Sequence, residues 1–217
     1  LPEETDIDTE FRIRPTLGLA FTENEVDHIQ RAVRWQCQRK FFDVRWVDAP
    51  DLTSIDPRIS QEALGGVLAE GMAEVEPYRF ILAMAQAAEK EGAIIYNGNV
   101  RGLKKSGTHV SAVVLERDEI SCDQVVMATG PWSGEYSSWL GIHIDVRPLK
   151  GQIIRLRDLG PPLQISVGWS SNYVTTKPDG LLWAGTTEEE AGFDEEPTTE
   201  AREYITASLL KMLPSLD

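Results

Sequence analysis

Cysteine is scarce in this chain: Cys37 and Cys122 stand alone among 217 residues. Two thiols so far apart make neither a disulfide framework nor a Cys-x-x-Cys pair, so a disulfide-stapled scaffold is excluded and a reducing, cytoplasmic setting is expected. Histidine is also scarce: His28, His109 and His143 are scattered without ligand spacing and read as structural, so no metal site is expected. Basic residues are in the minority, 21 against 35 acidic ones, for a net charge of −14, and they form no dense block. Phosphate backbones need clustered Lys and Arg, which argues against nucleic acid as a partner. The acidic excess reads as solubility, and Glu188-Glu189-Glu190 as a solvated loop. No apolar run approaches the roughly 20 residues needed to cross a bilayer, so no membrane role is expected. The opening Leu1-Pro2-Glu3-Glu4 has neither an initiator Met nor a signal peptide and reads as a cut inside something longer. Internal repeats and low-complexity tracts are also lacking.

What is present is a globular composition, 41% hydrophobic and 26% charged, long enough for one sizeable core or two modest lobes. Thr22-Glu23-Asn24-Glu25 is a capping box, and Val26, Ile29, Val33 and Cys37 then recur at helical spacing, predicting a helix over 22–39. Strands are predicted over 14–21 and 65–69. Pro50 and Pro57 should break 47–59 into short turns. Glu76-Pro77 opens a second helix, carried by Tyr78, Ile81, Leu82, Ala85 and Ala88 and closed by Gly92.

A short buried strand over 93–96, a turn at Asn97-Gly98-Asn99, and strands over 100–103, 109–116 and 119–122 follow. Residues 124–128 are apolar at nearly every position, the pattern of a strand buried on both faces. After Gly141, short strands over 144–149, 152–156, 163–167, 173–176 and 181–184 alternate with Gly and Pro, which predicts an antiparallel sheet. A helix over 198–213 closes the chain. Two styles therefore coexist, α/β in the middle and α+β around it.

The chemistry-bearing segment is Val125-Val126-Met127-Ala128-Thr129-Gly130, followed by Pro131-Trp132-Ser133-Gly134. Small residues at the carboxyl end of a strand let a ligand approach the backbone, and open α/β sheets bind ligands there. A plain strand-to-helix turn would read the same way.

Together with its flanks the segment resembles the second flavin-contacting motif of the FAD-dependent amine oxidases of the D-amino acid oxidase superfamily, in particular the glycine oxidase and sarcosine oxidase branch. Val75-Glu76-Pro77, Val100, the run 126–134, Val146-Arg147-Pro148-Leu149-Lys150-Gly151-Gln152, Tyr173, Asp179-Gly180, Gly185-Thr186-Thr187-Glu188 and Phe193-Asp194 are similar to family blocks in the same order. The resemblance implies an internal fragment in which an incomplete Rossmann-like FAD-domain segment, residues 74–142, joins a mixed, largely antiparallel substrate-binding sheet with flanking helices, residues 1–73 and 143–217. It also implies FAD contacts at Val100, Ala128, Thr129, Gly130 and Trp132, and a substrate-binding hydroxyl on Tyr173.

The implied reaction oxidises glycine, sarcosine or a D-amino acid by hydride transfer to FAD, with oxygen as acceptor. A quinone-linked dehydrogenase of a D-amino acid, proline or glycerol phosphate is the alternative within the fold, and a non-catalytic binding module the alternative outside it. Three family features are missing: the Gly-x-Gly-x-x-Gly phosphate turn, the acidic residue that would hold the adenosine ribose, and the C-terminal segment bearing the substrate-binding Arg. FAD is therefore expected in the full-length protein and not in this fragment, which should be inactive alone. Apolar edges near Val125 should drive self-association. Lys150 and Arg147 read as solvent-facing, and the two cysteines as small apolar fillers.

Overall fold

The computed structural model describes residues 1–39, 43–157 and 160–216. In chain order the elements are α1 (Pro2–Thr5), β1 (Arg12–Ile13), β2 (Thr16–Ala20), α2 (Glu23–Gln36), β3 (Val44–Asp48), α3 (Ala49–Ile55), β4 (Gly65–Ala69), β5 (Ala73–Glu74) and α4 (Pro77–Lys90). They continue with β6 (Val100–Ser106), β7 (His109–Leu115), β8 (Glu119–Ser121), a 3-10 turn (Gly130–Tyr136) and α5 (Ser137–Leu140). Last come β9 (Ile153–Leu156), β10 (Ser166–Trp169), β11 (Asn172–Thr176), β12 (Leu182–Gly185), α6 (Thr199–Met212) and a 3-10 turn (Pro214–Leu216). Contacts divide the chain into two units, one of residues 1–84, 151–188 and 195–217, the other of residues 85–150 and 189–194. Among the described residues no helix is long and apolar enough to cross a membrane.

The first unit is built on a seven-stranded sheet in the order β3-β4-β2-β10-β11-β12-β9. Every junction is antiparallel except β2 with β10, where Leu17 pairs with Val167 in parallel. A parallel pair needs a crossover connection. Here that connection carries residues 85–150 of the second unit, so the one parallel junction is the one whose strands are far apart in the chain.

Leu17, Leu19, Val167, Val174, Leu182 and Ala184 lie in the hydrophobic core with Ile205, Leu209 and Met212 of α6. Because strand side chains alternate with period two, burying Val174 on this face turns Tyr173 and Thr175 to the other. The same rule turns Trp183 of β12 and Arg155 of β9 away from the core occupied by Leu182, Ala184 and Ile154.

The capping box forms as the sequence predicts: Thr22 Oγ1 accepts from Glu25 N–H at 3.3 Å, and Glu25 Oε2 accepts from Thr22 N–H at 2.9 Å. That helix ends at Gln36 rather than residue 39, and Cys37 beyond it is exposed, so it fills no core. The segment 47–59 departs from expectation. Instead of broken turns it gives the end of β3 and helix α3, with Pro50 in the helix's first turn. An N–H missing there would have had no intrahelical partner anyway, so proline starts this helix rather than stopping it.

The second unit holds the antiparallel sheet β6-β7-β8, with Val100 paired to Leu115 and Val113 to Ile120. The predicted strands over 93–96, 124–128 and 144–149 do not form. Ile94 is 88% exposed and Val126 is 89% exposed, so the segment read as buried on both faces is open. An apolar pattern marks where a strand can be buried, but a strand also needs neighbours to take its N–H and C=O groups. Among the described residues no ladder partner serves 124–128.

Candidate functional site

Two places in the chain carry the predicted site residues, one in each unit. In the first unit a cavity of about 690 Å³ opens on the sheet face opposite the core. Its wall includes Arg12, Glu74, Arg155, Tyr173, Lys177 and Trp183. Adjacent strands supply Tyr173, Trp183 and Arg155: Tyr173 pairs with Gly185, Thr175 with Trp183, and Trp183 with Arg155. The short ribbon of β1 and β5 supplies the rest, since register places Arg12 directly opposite Glu74.

Glu74 is the electrostatic centre. It accepts from Arg12 Nε, from Arg14 Nε at 2.7 Å, and lies 3.5 Å from Lys177 Nζ. Burial alone would raise its carboxyl pKa, but the Arg12 hydrogen bond and the charges of Arg14, Lys177 and Arg12 together outweigh burial and hold it below the ordinary carboxylate range. Arg14 has further partners: its Nη1 donates to Leu163 O at 2.9 Å and to Thr175 Oγ1 at 3.3 Å.

Lys177 is fixed at the end of β11 by a turn in which its N–H donates to Leu181 O and its C=O accepts from Gly180 N–H, both at 2.9 Å. Gly180 adopts a φ of 77°, a conformation glycine reaches without steric cost. Arg155 pairs with Asp179 at 2.7 Å. The Trp183 ring lies between two cations, 4.8 Å from Arg155 Cζ and 5.8 Å from Lys177 Nζ. Burial raises the Tyr173 phenol above its ordinary pKa, so at neutral pH it is a protonated hydrogen-bond donor.

The second unit carries the segment read as a flavin contact. Ala128 lies in open backbone, and Thr129 and Gly130 lead into the 3-10 turn Gly130–Tyr136. Thr129 Oγ1 and Ser133 Oγ are 3.0 Å apart, Ser133 Oγ donates to Gly130 O at 2.7 Å, and Trp132 N–H donates to Thr129 O at 3.2 Å. Gly130 has a φ of 52° and open space where a Cβ would stand. Trp132 is exposed and stacks on Phe193 at 5.3 Å.

Val100 sits on the separate three-stranded sheet, so it and the Ala128-Thr129-Gly130 segment, both expected to meet FAD, lie on different elements. The open, small-residue backbone at 128–130 fits the approach of a flat cofactor body, and an exposed indole beside it fits stacking. A glycine-rich turn that could cradle a pyrophosphate is not among these residues.

Lys150, read as solvent-facing, has a side chain only 7% exposed and pairs with Asp194 at 3.0 Å. Its backbone bridges Glu189, which takes the middle of the acidic run out of a plain loop. Burial of a long cationic stem depends on a carboxylate 44 residues away, which local pattern does not reveal. Sequence reasoning singled out Tyr173, which lines this cavity, and did not single out Arg12, Glu74, Lys177 and Trp183 around it. The Arg12-x-Arg14 alternation was a usable signal, since residues two apart on a strand share a face.

Comparison with known proteins completes the description. A glycine oxidase of Pseudomonas aeruginosa is 29% identical over 100% of this chain, which covers 58% of that protein. A D-amino-acid oxidase of Bradyrhizobium diazoefficiens is 29% identical over 97% of the chain, covering 45% of that protein. The crystal structure of glycine oxidase from Bacillus cereus superposes with a TM-score of 0.91 at 24% identity, over 99% of this chain and 59% of that one. The chain thus spans a little over half the length of the glycine oxidases it matches. A family model described as FAD dependent oxidoreductase matches residues 1–217, and the chain belongs to that family.

Proposed function

We propose that this chain provides the substrate-facing sheet and one cofactor-contacting segment of a flavoenzyme that oxidises a small amino acid or amine, with glycine, sarcosine or a D-amino acid as the substrate class and oxygen as acceptor. The observation that carries this reading is the family match over the whole chain together with Tyr173, a half-buried phenol donor in a cavity whose wall includes Arg12 and Lys177. FAD, when bound, supplies the hydride-accepting chemistry. The backbone of Ala128, Thr129 and Gly130 would lie along it, Trp132 would pack beside it, and the Val100 backbone would meet its adenine end.

The remaining work falls to this chain's own groups. Tyr173 donates its phenolic proton to the substrate carboxylate, and the protonated phenol keeps that role throughout the neutral pH range. Arg12 and Lys177 of this wall share the one carboxylate of Glu74 with Arg14, a local arrangement that favours an anionic group beside them. The walls of the cavity also limit water around the bound group.

The test is oxygen uptake and flavin reduction by the product of the whole reading frame that contains this chain. Glycine, sarcosine, D-alanine and D-glutamate are the substrates to try. Uptake with at least one of them supports the proposal. Flavin that none of them reduces, with or without oxygen, refutes it. Reduction without oxygen uptake, relieved by a quinone, would retain the amine and replace the acceptor.

A further inference from the structure

The cavity beside Tyr173 is larger than a bare glycine requires. Pockets of roughly 300–1,000 Å³ enclose ligands far larger than five heavy atoms, and this one measures about 690 Å³. Its lining carries four basic side chains, Arg12, Arg79, Arg155 and Lys177, and four acidic ones, Glu10, Glu74, Glu76 and Asp179; Arg79 pairs with Glu10 and Arg155 with Asp179, and the uneven sharing lies around Glu74. Glu74 is shared by Arg12, Arg14 and Lys177, three positive charges on one carboxylate. Arg14 is engaged by Leu163 O and Thr175 Oγ1, and Arg12 by Thr176 O at 3.3 Å. Lys177 makes the longest of the three contacts to Glu74, 3.5 Å, and presents its ammonium toward the Trp183 ring. Of the three cations that share Glu74, it is the one held most loosely.

Position makes this a second station rather than part of the first. Lys177 Nζ lies over Trp183, whose strand partner is Thr175, two residues along β11 from Tyr173. Two strand residues amount to about 7 Å. A ligand held by its α-carboxylate at Tyr173 would meet Lys177 with a group several bonds further on.

We propose that the substrate carries a second carboxylate, which seats on Lys177 beside the Trp183 indole while Tyr173 holds the first. Glu74 then acts as a fixed counter-ion that keeps Arg12 and Lys177 in place without neutralising both. This assignment rests on the amine-oxidation reading, but it is tested by binding and not by turnover.

The experiment is ligand-observed NMR and calorimetry on the 217-residue chain with D- and L-glutamate, D- and L-glutamine, glycine and sulfate. Glutamate and glutamine differ in one terminal charge and hardly in shape. A charge-assisted hydrogen bond favours the charged ligand by about tenfold to a hundredfold. We expect at least one glutamate enantiomer to bind about tenfold or more tighter than its glutamine. Lys177→Gln should erase that preference, and Lys177→Arg should restore most of it.

Equal affinity of glutamate and glutamine overturns the proposal, as does a preference that survives Lys177→Gln. Sulfate binding as tightly as glutamate overturns the carboxylate assignment. Absence of binding by every probe at millimolar concentration overturns the subsite altogether. Circular dichroism of each variant checks folding, and the glutamate-glutamine comparison on the unmodified chain needs no variant. If the preference is present but the whole reading-frame product reduces no flavin, the oxidation reading fails and the anion subsite stands.

Discussion

Replacing Glu74 by Gln removes the single negative charge shared by Arg12, Arg14 and Lys177 while keeping the side chain's shape. Breaking a buried ion pair by deleting one partner typically costs about 3–5 kcal/mol, because an uncompensated charge is left behind. Two features reduce that figure here. The Glu74 side chain is 18% exposed and that of Lys177 23%, so water screens part of the loss. Arg14, only 9% exposed, also keeps two oxygen partners besides Glu74. The Gln carbonyl can still accept one hydrogen bond. The expected cost is therefore about 2 kcal/mol.

The assay is urea unfolding at neutral pH followed by tryptophan fluorescence and circular dichroism, reading the midpoint at constant slope. A second arm uses pH. The folded-state carboxyl of Glu74 lies below its ordinary value, so its stabilisation is fully present above the ordinary carboxylate range and disappears as pH falls through the lowered folded value. The gap between the parent chain and Glu74→Gln should accordingly close on acidification and stay constant from about pH 6 upward. A cost under about 0.5 kcal/mol at neutral pH, the range of ordinary surface substitutions, or a gap that widens in acid, would refute this account of the cluster.

In the product of the whole reading frame, Tyr173→Phe should raise KM several-fold with a smaller change in kcat, and an unchanged KM would remove the hydroxyl from the substrate site. Added to the 217-residue chain, FAD should bind weakly or not at all, because the sequence contains no glycine-rich phosphate turn; a yellow, stoichiometric preparation would contradict this. Exposed Ile94 and Val126 should make the same chain self-associate, and Val126→Lys should shift it toward monomer. Size-exclusion chromatography giving a clean monomer before any substitution would count against that expectation.

The sequence by itself determined several local elements and the family. The Thr22 capping box, the Pro77 helix start and the β11–β12 hairpin around Asp179-Gly180 follow from residues close in the chain, whose preferences act whatever surrounds them. Tyr173 could be singled out because a sheet strand and a family block coincide there. Tertiary structure alone decided which carboxylate Arg12, Arg14 and Lys177 would share, since Glu74 is 62 residues from Arg12 and 103 from Lys177. It also decided that Lys150 is buried and that 124–128 remains open. Burial of a charge and pairing of a strand are properties of partners brought from elsewhere in the chain, and an apolar or basic run carries no record of whether those partners arrive.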